Sequence, residues 1–286
     1  MFSAAIGGLA YRRGALSEGG VAGAILVGTA VFGFGGLGWA VVLVAFFASS
    51  SVLSRYRADR KARAAARFSK GSRRDLAQVL ANGGLAALIA AASRLTADER
   101  QHVVLAFAFL GAVAAANADT WATELGLLAR RPPRLITTGC RVPDGTSGGV
   151  TAPGLLAALG GAAFIGTVAL ALVALPTGAR GWASSGWGSA LWMAPVVATI
   201  AGFAGATFDS LLGATVQAVY YCERCDTETE RPLHHCGVLA RPVRGWRWLD
   251  NDGVNFLSTV AGASIAALLA ATLMLCDRAL SCGAII

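Results

Sequence analysis

Two carboxylates at the end of one apolar stretch are the first residues in this sequence that suggest chemistry. Asp119 shares a helix face with Thr123, whereas Glu124 projects about 140° away from it on an ideal helix. Either the helix breaks between the two acids or they have different roles. Carboxylates in such a place can hold Mg²⁺ together with phosphate oxygens and water. The structural alternative is that these acids pair with Arg130 or Arg134.

A third acid, Asp209, follows 28 uncharged residues and is expected near a membrane boundary. Gly205, Asp209 and Gly213 recur every four residues, so they form one ridge that lets a ligand or a helix approach the acid closely. Ser210, Gly213 and Gln217 also fall near one face. Because an ionisable group near a membrane span is costly, it suggests function by default. The predicted catalytic acids are Asp119, Glu124 and Asp209.

A loop rich in glycine, serine and threonine precedes the next apolar stretch. When such a loop opens a helix, it presents free N–H groups at the positive end of the helix dipole, which favours an anion. No Gly-Lys-Ser/Thr follows, so the loop is not a Walker A motif. Arg134 and Arg141 are near enough in sequence to contact phosphate oxygens, although a plain turn explains the same composition. The loop residues predicted to bind phosphate or nucleotide are Gly145, Thr146, Ser147, Gly148 and Gly149.

Polar residues also open the last apolar stretch and interrupt two earlier ones. Asn251 and Asn255 share a helix face with Asp252 alongside, and a capping role explains only one of the three. We therefore assign them, with Ser210 and Gln217, to phosphate or nucleotide binding. Polar groups inside a span either join helices by hydrogen bonds or contact a substrate. The candidates for substrate contact are Ser50, Gln78 and Asn82.

Four soft metal ligands lie close together near residue 230. Cys222 and Cys225 form a C-x2-C pair, and Cys236 follows with His234 or His235 before it. His234 is preferred because it leaves one residue before Cys236. Three thiolates and one imidazole suit tetrahedral Zn²⁺. Because four protein ligands leave no open position, we expect this Zn²⁺ to fold the loop and not to catalyse a reaction.

The composition places these residues in a membrane protein. Of 286 residues, 55% are hydrophobic and only 14% are charged, whereas soluble domains carry about 25% charged residues. The apolar residues fall in blocks of membrane-spanning length. The predicted fold is an all-α, polytopic helix bundle with about seven spans and a small cytoplasmic metal-binding loop. The predicted spans lie near 19–33, 36–53, 76–93, 101–118, 151–176, 188–207 and 254–276.

The positions of the basic residues orient the predicted bundle. With seven spans, 20 of the 24 lysines and arginines fall on one side, which the positive-inside rule makes cytoplasmic. We predict a single integral domain over 1–286 in the cell membrane, with a basic loop at 55–75 and the Cys/His loop at 221–250. No soluble basic domain exists to hold a nucleic-acid polymer, but nucleotides remain possible partners. The sequence does not indicate the oligomeric state.

The chain resembles the integral-membrane family called domain of unknown function 92, or the transmembrane protein 19 family. The resemblance covers almost the whole chain and departs from the family only at a short N-terminus. The matching stretches include FFASSSVLSR, QVLANGG, ADTWATELG, PRLITT, GTSGGV, DSLLGATVQ, the segment Cys222–Gly237 and NDGVNFLS.

This resemblance implies an activity, because the family includes a plant phytyl-phosphate kinase. Such an enzyme moves a phosphoryl group from a nucleoside triphosphate, CTP or ATP, to an isoprenoid phosphate. We therefore expect a membrane-embedded kinase of this type, with catalytic Mg²⁺, structural Zn²⁺ and the lipid bilayer as its surroundings. Two other hypotheses stay open: a transporter or flippase of a lipid-linked phosphate or small anion, and a scaffold that uses its zinc loop to bind a partner.

Overall fold

The computed structural model describes residues 2–65, 73–174 and 191–283, which form a helix bundle with two small sheets at one end. The helices are α1 Phe2–Arg12, α2 Glu18–Ala30, α3 Gly36–Arg55, α4 Ala58–Ala65, α5 Leu76–Ala92, α6 Glu99–Gly126, α7 Ala152–Ala174, α8 Ala194–Thr215 and α9 Asn251–Gly283. A π-helical turn, Val31–Gly35, continues α2, and a short 3-10 turn, Leu191–Met193, precedes α8.

Six helical stretches among the described residues are long and apolar enough to cross a membrane. The first, Glu18–Arg55, has 38 residues, about twice the length of one crossing. It turns at Gly36, whose φ of +81° suits glycine. At its far end Arg55 donates a hydrogen bond of 2.7 Å to the carbonyl of Arg13, which lies just before α2. The stretch is therefore read as a hairpin, and the six candidate stretches among the described residues roughly match the prediction of about seven spans.

Helix α6 is the centre of the bundle and packs against α3, α5, α7, α8 and α9. Its residues 106–118 are all buried. Small residues make these crossings possible, because helices in lipid associate by close backbone packing. A Cβ on Gly111 of α6 would overlap the Gly262 carbonyl of α9, and one on Gly205 of α8 would lie 2.6 Å from Ala115.

The loops at one end of the bundle carry most of the arginines, and we call this end the basic face. It consists of the loops 13–17, 56–75, 127–151 and 216–250, of which 66–72 lie outside the described residues. Two small sheets occur here. Strand β1, Arg134–Leu135, pairs antiparallel with β2, Gly149–Val150. The three-stranded sheet has the order β4-β3-β5, with β3 Val219–Cys222, β4 Thr227–Thr229 and β5 Arg241–Arg244.

We call residues 219–244 the Cys/His knuckle. It docks against the C-terminal end of α8, where the Trp246 amide donates 2.8 Å to the carbonyl of Val216. Arg244 of β5 donates a hydrogen bond to the carbonyl of Ala214, and so satisfies a carbonyl in the last turn of α8. A Cβ on Gly245, which has a φ of +79°, would overlap the backbone of Gln217. The knuckle is thus held tightly against the end of α8.

Candidate functional site

A pocket of about 130 Å³ opens at the basic face between α6, α7 and α8. Four of its lining residues are acids, and no lysine or arginine among the described residues lines it. Its acidic and polar lining residues are Asp119, Thr123, Asp144, Thr146, Ser147, Thr151, Thr207, Asp209, Ser210, Gln217, Glu230 and Asn251. A pocket of this composition attracts cations.

Asp119 of α6 and Asp209 of α8 face this pocket from neighbouring helices. The Oδ2 atom of Asp209 is buried and has no hydrogen-bond partner among the described residues. A buried, unpaired carboxylate oxygen costs free energy unless a cation or a proton accompanies it. Because both aspartates line one pocket, negative charge on the two carboxylates would be mutually repulsive without a cation. This arrangement suits a bound divalent cation.

Glu230 of the knuckle also lines the pocket, and the sequence analysis did not identify it. Its Oε1 atom accepts hydrogen bonds from Gln217 Nε2 at 2.8 Å and from Ser147 Oγ at 2.9 Å. No local signal distinguishes Glu230 from the exposed acids of the same segment, Glu223 and Glu228. Only the docking of the knuckle brings it to the pocket.

Four helix ends meet at the pocket. Two are C-terminal ends and two are N-terminal ends, so their partial charges have opposite signs. Helices α6 and α8 end here, so their partial negative charges lie on the side of Asp119 and Asp209. Helices α7 and α9 begin here, and their free N–H groups and partial positive charges favour an anion. Thr151 caps α7 by accepting from the Gly154 amide at 3.1 Å, and both residues line the pocket. The pocket therefore suits a cation–phosphate pair.

The predicted phosphate loop does reach this pocket. All five residues from Gly145 to Gly149 line it, together with Ser210, Gln217 and Asn251. Gly148 has a φ of +80°, and a Cβ there would overlap the backbone of Ala214 in α8. The glycine is required because the loop must lie directly on the end of α8.

Glu124 lies away from the pocket, although it was a predicted catalytic acid. Helix α6 continues unbroken through both acids, so Glu124 projects from a different face, as its spacing from Asp119 indicated. There it forms a partly buried ion pair with Lys61 of α4 and accepts a hydrogen bond of 2.6 Å from Ser54 Oγ. Lys61 also donates to the carbonyl of Leu53 at 2.7 Å. These contacts tie α3, α4 and α6 together.

Four other predicted phosphate or nucleotide ligands are not brought to the pocket. Arg134 and Arg141 are exposed on the loop, and Arg134 donates 2.6 Å to the carbonyl of Gly139. Asp252 lines a different, largely apolar groove beside α2 and α5. Asn255 is half-buried and is absent from the pocket lining.

The predicted substrate residues also lie elsewhere. Ser50 is buried, and its Oγ donates a hydrogen bond of 3.2 Å to Asn117 Oδ1. Asn117 Nδ2 in turn donates a hydrogen bond of 2.7 Å to the carbonyl of Gly161. This chain of bonds joins α3, α6 and α7. Gln78 forms a capping box with Asp75 at the start of α5, and Asn82 donates 2.9 Å to the carbonyl of Gln78. Gln78 and Asn82 line a mostly apolar cavity of about 90 Å³ between α2, α3 and α5.

The structure brings together the four predicted metal ligands. One ligand atom from each of Cys222, Cys225, His234 and Cys236 lies within 4.8 Å of all the others, so the cluster could hold a metal ion. His234 Nδ1 is 3.2 Å from the Cys236 sulfur. His235 is exposed and is not a member of the cluster.

The acidity of the thiols also suits a metal. The hydrogen bond to His234 lowers the pKa of the Cys236 thiol to about 6. Hydrogen bonding to Cys236 raises the pKa of the Cys225 thiol to about 11. A lowered pKa favours the thiolate of Cys236, which is the form that ligates metals. A divalent ion would relieve the cost of ionising the neighbouring thiols.

Comparison with known proteins places the chain in one family over most of its length. The profile of the family described as integral membrane protein DUF92 matches residues 1–263. Protein PGR of Arabidopsis thaliana is 36% identical over 262 residues, which cover 87% of this chain and 86% of the relative. An uncharacterized membrane protein of Methanocaldococcus jannaschii is 28% identical over 258 residues, covering 90% and 87%. No solved structure matches the chain.

The profile extends through the pocket acids, the glycine loop and the Cys/His knuckle, and so includes every part of the site. The chain therefore belongs to the DUF92 family of multi-pass integral membrane proteins.

Proposed function

We propose that the protein is a membrane-embedded phosphotransferase that moves a phosphoryl group from CTP or ATP to an isoprenoid phosphate. The observation that supports this proposal most strongly is the convergence of Asp119 and Asp209 on a pocket that is also lined by the first residues of two helices. Phosphoryl transfer depends mainly on positioning and on neutralising charge. This pocket offers groups for both tasks.

Asp119 and Asp209 are the residues that would hold Mg²⁺. Mg²⁺ binds through one or two carboxylates and completes its shell with water and phosphate oxygens, so a complete cage of protein ligands is not required. When bound, the ion would neutralise the negative charge that develops on the transferred phosphoryl group. The unpartnered Oδ2 atom of Asp209 fits such a role.

The glycine loop and the two helix N-termini would hold the phosphates, since no lysine or arginine of the described part of the chain lines the pocket. In the proposed reaction, an oxygen of the acceptor phosphate attacks the γ-phosphorus, the bond from the γ-phosphorus to the bridging oxygen breaks, and the nucleoside diphosphate leaves. Because the acceptor oxygen is already ionised at neutral pH, the step needs no general base. The role of residues 145–149 and Thr151 is to orient donor and acceptor in line.

The acceptor tail would enter from the bilayer. The membrane side of the pocket is lined by Leu155 and Ala158 of α7 and Ala206 of α8. These apolar side chains would contact an isoprenoid chain while its phosphate meets the polar end. We further propose that the basic face is cytoplasmic, where nucleotide is available, and that the knuckle binds structural Zn²⁺.

The test uses purified protein in lipid nanodiscs with Mg²⁺, γ-labelled CTP or ATP, and phytyl or geranylgeranyl phosphate. We expect label in the isoprenoid diphosphate. Asp119→Asn and Asp209→Asn should each reduce the rate by at least about 100-fold, because each removes a ligand that neutralises phosphate charge. Glu99→Gln is the matched control, since Glu99 is an exposed acid at the other end of α6.

Transfer to none of these acceptors by folded protein would refute the kinase proposal. Nucleotide-independent flux of an isoprenoid phosphate in proteoliposomes would instead support transport. A scaffold would keep its phenotype in cells that carry Asp119→Asn or Asp209→Asn.

A further inference from the structure

We propose that Glu230 is a positioning residue through which the Cys/His knuckle shapes the pocket, so that metal in the knuckle orders the phosphate loop. The catalytic meaning of this inference rests on the proposed phosphotransferase activity. The structural coupling itself can be measured without that activity. The inference goes beyond a zinc that only folds its own loop.

The position of Glu230 within the knuckle makes it sensitive to the metal cluster. Two of the four ligands, Cys225 and His234, lie on either side of it, five residues before and four residues after. Thr229, the residue just before it, is buried and pairs with Tyr220 of β3. The backbone at Glu230 is therefore held by the hairpin and by ligands on both sides.

The side chain of Glu230 leaves the knuckle and joins two other segments. A single oxygen, Oε1, accepts from Gln217 Nε2 at 2.8 Å and from Ser147 Oγ at 2.9 Å. Gln217 is buried just beyond α8, and Ser147 belongs to the phosphate loop. Hydrogen bonds to a carboxylate are stronger than those between neutral groups. Glu230 thus connects the knuckle, the end of α8 and the phosphate loop.

The knuckle has too small an apolar core to keep Glu230 in this position without a metal ion. Its strands contain only three or four residues, and its buried side chains include two of the metal ligands, Cys222 and His234. In such small units, metal binding supplies much of the folding free energy. Without metal, we expect the hairpin to loosen and the bond from Glu230 to Ser147 to break.

Loss of the hydrogen bond from Ser147 to Glu230 would affect the pocket through a short series of contacts. Ser147 is followed by Gly148, which lies against Ala214 at the end of α8. The loop between β1 and β2 also has local hydrogen bonds, such as the 2.9 Å bond from the Gly149 amide to the Thr146 carbonyl. The bond to Glu230 adds a long-range constraint, from a segment 83 residues away, on the loop that we propose binds phosphate.

The experiment measures hydrogen–deuterium exchange of residues 144–149 in the full-length protein, with and without a zinc chelator. We expect chelation to accelerate exchange there about tenfold, because local opening follows the loss of hydrogen bonds. The transmembrane part of α6 should stay protected. Glu230→Ala should loosen the same loop while the protein keeps its full zinc content by elemental analysis.

Two further variants serve as controls. Glu228→Ala removes an exposed acid from β4, and its exchange should match the wild type. Glu230→Gln keeps an oxygen that can accept from Ser147 but removes the charge, so loop order should be largely retained. Its affinity for Mn²⁺, used as a spectroscopic probe of the pocket, should fall.

The outcomes separate this inference from the proposed function. If Glu230→Ala and chelation both leave exchange at 144–149 unchanged, the coupling is refuted, even if kinase activity is found. If both accelerate exchange and no phosphotransfer occurs with any acceptor, the coupling stands and the kinase proposal fails.

Discussion

At the scale of single residues, the carboxylates of one helix have different surroundings. Asp119 and Glu124 are five residues apart on the unbroken helix α6, yet only Asp119 lines the pocket. Residue type made both acids candidates, and their angular separation indicated that they differ. Which acid faces the pocket depends on how α6 is rotated in the bundle, and that rotation is decided by packing of residues distant in sequence.

Glu124 is expected to matter for stability. Its partner Lys61 has 7% of its side chain exposed, and Glu124 has 19%. Removal of one member of such a pair leaves an uncompensated charge, so Glu124→Gln or Lys61→Met should lower the free energy of unfolding by about 3 kcal/mol. The double variant should be less destabilised than the two single changes together predict. Unfolding in detergent by titrated SDS measures all three.

The activity of Glu124→Gln completes this test. We expect the folded fraction to keep a rate within a few-fold of the wild type. A loss of 100-fold in a variant of unchanged stability would instead support the chemical role that the sequence suggested.

At the scale of elements, the pocket depends on a loop that lies unusually close to a helix. Gly139 and Gly148 both have positive φ, +69° and +80°, in the segment between α6 and α7. A Cβ on Gly139 would meet nothing within 4 Å, whereas one on Gly148 would overlap the backbone of Ala214. Substitution of Gly139 should therefore cause backbone strain alone, whereas substitution of Gly148 should cause the same strain and also displace the loop from α8.

Gly148→Ala should abolish phosphotransfer, and Gly139→Ala should not. Both changes place a side chain in a left-handed conformation, at a cost of about 1–2 kcal/mol, but only the first displaces the loop from α8. The measurement is the transfer rate, with the melting temperature as a check that both variants fold. Equal effects of the two substitutions would mean that contact between the loop and α8 is not needed.

At the same scale, sequence reasoning succeeded where the signal is local. The apolar blocks predict the spans, and the C-x2-C spacing predicts the cluster of Cys222, Cys225 and Cys236. The spacing of Gly205, Asp209 and Gly213 also indicated a ridge of close approach. Glu230 escaped notice because its importance comes from contacts with Ser147, 83 residues away, and from the docking of the knuckle.

At the scale of the whole molecule, polarity is distributed unevenly through the bundle. The pocket, the knuckle and most of the arginines share the basic face, while the centre of α6 is apolar and tightly packed. A transporter needs a polar path that crosses the bilayer. The pocket lined by Asp119 and Asp209 opens at the basic face. This position agrees better with an enzyme that takes nucleotide from water and its acceptor from lipid than with a transporter.

The kinase proposal requires that the basic face be cytoplasmic, and cysteine labelling tests this orientation. Cys140 is exposed at the basic face, and Leu95 at the opposite end is 89% exposed. In right-side-out membrane vesicles, a membrane-impermeant maleimide should modify Leu95→Cys and spare Cys140, because loops rich in lysine and arginine remain inside. Inside-out vesicles should show the reverse.

Mass spectrometry identifies the labelled site in a protein in which Cys276 and Cys282 are replaced by alanine. If Cys140 reacts in right-side-out vesicles, the pocket faces away from cellular nucleotide, and a kinase that uses CTP or ATP is ruled out.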